Sequence, residues 1–206
     1  MEEAEGCISK AYEIVCAIFG EHNNTSSEIH CSLADIMSMQ GKGEQAIVIL
    51  EKELLYQLDV YGPKDRSVAY TYGLLMEAYG RVGNMERAIE YCNKSNSIFS
   101  ELDLNSDICI ARNHIALGKF LANSKKYVEA ENQLLIAKEL IDSTDTDVTD
   151  RDIIMTYIKL GQIQMELNKK EKAIESLKVV VANNSKVKFK DEIEKAEEWI
   201  KILISQ

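Results

Sequence analysis

The sequence predicts an all-α fold, a solenoid of antiparallel helix pairs stacked in series, and three observations lead there. A pattern returns every 42 or 43 residues, apolar residues recur at spacings of three and four on both sides of each expected turn, and small residues stand where paired helices would touch. The stretches GKGEQAIVIL, VGNMERAIEY, SKKYVEAENQ and NKKEKAIESL each put alanine in one slot: Ala46, Ala88, Ala130 and Ala173. Thirteen residues upstream of each alanine stands a leucine, Leu33, Leu75, Leu117 and Leu160, followed by Ala34, Met76, Gly118 and Gly161. A ring precedes each leucine by three residues, at His30, Tyr72, His114 and Tyr157, and an apolar residue follows each alanine by four, at Leu50, Cys92, Leu134 and Leu177.

Helical periodicity on two consecutive segments, as in Leu74, Leu75, Ala78 and Tyr79 and then Ala88, Ile89 and Cys92, makes each unit a helix pair that buries its second face only against a neighbour. Residues 1–19 are expected to form the second helix of an incomplete leading unit, with Ala4, Ile8 and Ala11 in its packing slots. Four complete pairs follow at 26–61, 67–102, 107–143 and 150–184, and 188–205 is expected to be a capping helix. In that cap Trp199, Ile202 and Leu203 fall in the ring, leucine and small-residue slots, and Trp199 is expected in the core. The first helix of the leading unit is missing, so either the chain is excised from a longer array or residues 1–19 start it. In the second case an uncovered flank at Ile14, Val15, Ile18 or Phe19 invites self-association.

Gly41 and Gly83 fall at the joint inside the first two pairs, where a left-handed residue ends a helix at little cost; Lys125 and Asn168 take that place in the next two. Gly41-Lys42-Gly43 is therefore expected to be a bend. A phosphate loop would need wider glycine spacing and a following Lys-Ser or Lys-Thr after a strand.

The pattern ring-x-x-Leu-small, then Ala and an apolar residue, resembles the tetratricopeptide repeat (TPR), and the likeness covers nearly the whole chain. Its 42-residue units and the connections FGEHNNTSSE (19–28) and YGPKDRSVAY (61–70) look like the long repeat of kinesin light chains and similar cargo adaptors. The resemblance implies a superhelix whose first helices line a concave groove that holds a peptide of a partner protein. Groove positions then include Asp35, Tyr70, Leu74, Glu77, Arg81, Arg112, Ile115, Lys119, Asn123, Ile158, Lys159 and Gln162. Cys31 and Asp35 occupy slots where carboxylate-clamp co-chaperones carry Lys and Asn, which excludes that clamp in this register. Gly73-Leu74, Ile115-Ala116 and Ile158-Lys159 replace the paired asparagines of kinesin light chains. The groove runs from acidic (Glu28, Asp35, Glu77) to basic (Arg81, Arg112, Lys119, Lys159), so an acidic peptide segment is expected over Arg112, Lys119 and Lys159. Reversing Arg112 and Lys119 to glutamate should then abolish binding without unfolding.

Composition bounds the rest. With 206 residues and 46% hydrophobic content the chain can bury a sizeable core, and a net charge of −10 opposes nucleic-acid binding. Cys7, Cys16, Cys31, Cys92 and Cys109 show neither disulfide nor zinc spacing, and MEEAEG is unlike a secretory signal; a cytoplasmic setting without membrane insertion is expected. Sequons at Asn23, Asn24, Asn93 and Asn183 are read as chance. His30 and His114 sit in packing slots and His22 in a loop, so no catalytic arrangement is expected. The aspartates of DSTDTDVTDRD (142–152) lack the glycine and glutamate of a calcium loop and are expected to cap the next helix. The chain is expected to be no enzyme, to hold no cofactor or metal, and to act as an interaction scaffold or adaptor. The alternative is a regulatory or assembly domain of a larger protein.

Overall fold

The computed structural model describes residues 2–20, 24–102, 107–143, 149–182 and 189–205. His22, Asn23, Asp145, Asp147 and Asn183 lie outside them, as do the side chains of Ala4, Ile8, Ala11, Phe19 and Asp150. Among the described residues the fold is all-α, with α1 (Glu2–Phe19), α2 (Asn24–Met39), α3 (Gly43–Tyr61), α4 (Arg66–Arg81), α5 (Met85–Leu102), α6 (Asp107–Asn123), α7 (Tyr127–Ser143), α8 (Asp150–Glu166), α9 (Lys170–Ala182) and α10 (Lys190–Ser205). The chain divides into two compact units, Met1–Asp103 and Leu104–Gln206.

In the first unit α2 pairs with α3 and α4 with α5, α3 packs on α4, and α1 lies on α2. Asp65 caps α4 by accepting the Ser67 N–H at 2.7 Å. Buried polar groups are satisfied across helices: the Gln57 amide donates to Ser27 at 3.0 Å and accepts from Thr71 at 2.8 Å, and Ser95 donates to the Ala69 carbonyl at 2.8 Å. His30 Nδ1 meets the buried Glu53 carboxylate at 2.8 Å, so this ring fills its packing slot and satisfies a partner on α3.

In the second unit α6 pairs with α7, α8 with α9, α7 packs on α8, and α10 covers α9 and the flank of α8. Thr149 and Asp152 form a reciprocal capping box at the start of α8. Asp142 accepts from the Tyr157 hydroxyl at 2.8 Å and from Lys138 at 2.7 Å, and the buried Glu131 of α7 pairs with Lys169. His114 contacts the Gln133 side chain at 2.7 Å; burial, opposed by this bond, pushes its pKa down and favours the neutral ring.

The four slot alanines are 0% exposed, and the joint ahead of each has one geometry. Positive φ occurs at Gly41, Gly83, Lys125 and Asn168, and the following residue donates back across the turn, Lys42 to Met37, Asn84 to Tyr79, Lys126 to Leu121 and Lys169 to Gln164, at 2.8–2.9 Å. Each is a six-to-one closure that ends the first helix. The N–H of Ala46, Ala88, Ala130 and Ala173 then bonds to that same residue's carbonyl and opens the second helix. Close approach explains Gly118 and Gly161: an added Cβ would lie 2.9 Å from Leu134 Cγ in one case and 2.6 Å from Leu177 Cδ2 in the other.

The capping helix departs from the expected register. Ile193, Ala196 and Leu203 are buried, whereas Ile202, in the leucine slot, is exposed. An isoleucine there faces outward because the buried stripe passes through the neighbouring Leu203.

Candidate functional site

The second unit carries a cleft of about 370 Å³ lined by Lys119, Ala122 and Asn123 of α6, Tyr127 of α7, Lys159, Gln162, Ile163, Met165 and Glu166 of α8, and Trp199 of α10. Helical spacing puts Lys159, Gln162, Ile163 and Glu166 on one face of α8, and the capping box fixes where that helix begins. Trp199 packs against the core of Ile154, Ile158, Leu177 and Ala196 and also forms part of the cleft wall. It joins the core as expected, and it does more than that.

Two ammonium groups, of Lys119 and Lys159, line the cleft. Lys159 donates to Gln162 Oε1 at 2.9 Å, and its pKa is pushed down first by burial and then by the charges of Lys119 and Lys195. Among the described residues no carboxylate pairs with Lys119, Lys159 or Lys195, whereas Lys138, Lys169 and Lys190 of the same unit all have such partners. Of the expected groove residues, the structure brings Lys119, Asn123, Lys159 and Gln162 together. It adds Tyr127 and Trp199, which lie off the first-helix positions that a groove register counts.

Arg112 is engaged within the unit. Its guanidinium donates twice to Asp152, at 3.0 and 2.9 Å, and Asp152 is only 7% exposed. Burial works to raise the Asp152 pKa, but the hydrogen bonds from Arg112 and Thr149 outweigh it and hold the carboxyl below its usual range. The charge of Arg112 is therefore matched inside the unit, and its reversal to glutamate would place two carboxylates together. Ile158 is buried in the core, and Ile115 packs against the cluster of Ile108, Ala111, Ala137 and Ile141.

In the first unit Arg81 pairs with Glu77 at 2.9 Å, and the neighbouring Asp35 has its pKa pushed up by burial and by Glu77, against the pull of Arg81. Leu74 is buried like Ile158, while Tyr70 is 56% exposed.

The thiols of Cys31 and Cys92 are pushed up to about 11, chiefly by burial, which makes them poor nucleophiles. Among the described residues no group of His, Cys, Asp and Glu could hold a metal ion, and no helix is long and apolar enough to cross a membrane. Asp142 and Asp152 are engaged by Tyr157, Lys138, Arg112 and Thr149.

No protein-family profile matches the sequence, and no curated protein matches it either. Solved structures do. BtubC (BKLC) from P. vanneervenii is similar at a TM-score of 0.67 with 16% identity, over 99% of this chain and 74% of that one. A Podosopora anserina putative kinesin light chain with nearly identical TPR-like repeats is similar at 0.65 with 17% identity, over 85% of this chain and 90% of that one. Helix pairs joined by a repeated turn, four buried alanines at a constant spacing and these likenesses agree: the chain has the fold of a TPR-like helical solenoid.

Proposed function

We propose that the protein is an interaction scaffold that binds an acidic peptide segment of a partner in the cleft between α6, α8 and α10. The TPR-like fold fits a protein-interaction scaffold. The observation that carries the reading is that Lys119 and Lys159, without carboxylate partners among the described residues, line an open, aromatic-walled cleft in a chain whose net charge is −10. Leaving like charges together has an electrostatic cost that a bound anion removes. The mechanism is electrostatic capture followed by packing of apolar groups on Trp199, Tyr127, Ile163 and Met165.

Trp199 is the chain's one tryptophan, so its emission reports occupancy. A glutamate-rich decapeptide should change that emission saturably, more weakly as salt rises, while a neutral peptide of the same length should not. Lys119→Glu should weaken binding at least tenfold with helicity unchanged. Unchanged affinity in that variant would reject the assignment of the cleft.

A second reading rests on α1, where Ile14 is 60% and Ile18 is 65% exposed: this helix docks a second copy of the chain, making an assembly module. A concentration-independent monomer mass in solution would exclude it.

A further inference from the structure

A second hollow adjoins the cleft and narrows the class of ligand, on the reading that the cleft binds an acidic segment. Its volume is about 350 Å³, and it is lined by Met165 near the end of α8, Asn168 in the following joint, Lys170 at the start of α9, and Ile202 and Leu203 of α10. Met165 lines both spaces. That methionine packs on the core that contains Leu203, so the shared wall is supported from beneath.

The two spaces differ in chemistry. Lys119 and Lys159 stand in the first with Glu166, the one carboxylate lining it, which leaves one positive charge for a single acidic side chain to match. The second has three apolar walls in Met165, Ile202 and Leu203, and Lys170 adds a four-carbon stem whose ammonium can reach water. Ile202 is 42% exposed, whereas Leu75, Leu117 and Leu160 in the same repeat slot are 0%, 3% and 0% exposed. Apolar surface is thus open at this point, and covering it with an apolar group is favourable.

Spacing connects the two. Lys159 and Met165 are six residues apart on α8, about 9 Å along its axis. A polyproline II segment advances about 3.1 Å per residue with three residues per turn, so side chains three apart lie on one side of it and about 9 Å from each other. We propose that the hollow is a second subsite of the same binding surface, taking an apolar side chain of the partner peptide three residues from the single carboxylate held by Lys119 and Lys159. The partner is then recognised by one acid and one apolar residue at a set distance, and a run of acids has no advantage.

The test uses the whole chain and four capped heptapeptides with a central glutamate among alanines, read by Trp199 emission and by calorimetry. The first has leucine at both positions three away from the glutamate, the second has leucine at both adjacent positions, the third has no leucine, and the fourth has glutamate in place of each leucine of the first. The first should bind at least fivefold more tightly than each of the others. Ile202→Ser, at an exposed position, should reduce the advantage of the first over the third to less than twofold. Binding of the first no tighter than the second or third, or of the fourth as tight as the first, would overturn the subsite and leave the acidic-segment reading standing. Absence of saturable binding by all four would overturn both. The comparison among peptides needs no variant, so a folding defect in the substituted chain leaves it decisive.

Discussion

Replacing Gly161 with alanine tests the helix packing most directly, because two well-known effects oppose each other there. On an isolated helix the change would be stabilising by about 1 kcal/mol, from propensity alone. In this fold the new Cβ would sit 2.6 Å from Leu177 Cδ2 and 2.7 Å from Leu177 Cγ, on a leucine that is completely buried. Carbon atoms prefer roughly 3.5–4.0 Å, so the leucine must retreat by about 1 Å into packed neighbours. Overpacking of that kind costs ~1–3 kcal/mol. The net expectation is a loss of about 0–2 kcal/mol. For a chain of this length each kcal/mol moves the melting temperature by roughly 2–4 °C, so Gly161→Ala should melt up to roughly 8 °C lower in a circular-dichroism scan instead of higher. Leu177→Ala alone should cost about 2–5 kcal/mol, and the double variant should cost less than the two losses together, by at least ~0.5 kcal/mol, because each removes the other's clash or void. A Gly161→Ala variant more stable than the parent by the full propensity gain of about 1 kcal/mol would refute the claim that α8 and α9 touch backbone to side chain at this point.

Two further expectations concern charge and backbone. Arg112→Met leaves the Asp152 carboxylate buried without its main ion partner and should destabilise by about 1–2 kcal/mol at neutral pH, a figure reduced because Arg112 is itself half exposed. The Asp152 pKa lies below the ordinary 3.8 in the fold, so its contribution is present above that value and lost as pH falls through the lower folded value; the variant should therefore unfold at a higher pH in an acid titration, and an unchanged acid midpoint would contradict the pairing. Lys125→Gly should stabilise by ~0.5–1 kcal/mol in a denaturant titration, since lysine holds φ at 60° where glycine does so without strain, and Gly41→Ala should destabilise by a similar amount.

Most of the fold was legible because the repeat writes packing into the sequence twice over, once as apolar spacing and once as small residues. Ala46, Ala88, Ala130 and Ala173 are buried because no larger side chain fits that crossing, and the left-handed residue at Lys125 or Asn168 could be found by register even without glycine. The candidate site was less legible. Lys119 and Lys159 follow from counting along first helices, but Tyr127 and Trp199 reach the cleft from other helices, and only three-dimensional packing brings them there. The position of Arg112 on its helix is readable, yet its partner Asp152 lies 40 residues away, next to a cap, so the pairing has no local signature. The burial of Leu74 and Ile158 likewise depends on how neighbouring helices pack, which spacing along one helix does not show.

The joints inside the four pairs share the same main-chain closure, with glycine, lysine or asparagine at the left-handed position. Side chains at those tips are consequently under weak steric instruction, and substitutions there can accumulate while the angle between the two helices stays the same. A scaffold made this way can keep its shape long after its letters have diverged. That is consistent with a likeness to solved structures that spans 99% of the chain at only 16% identity.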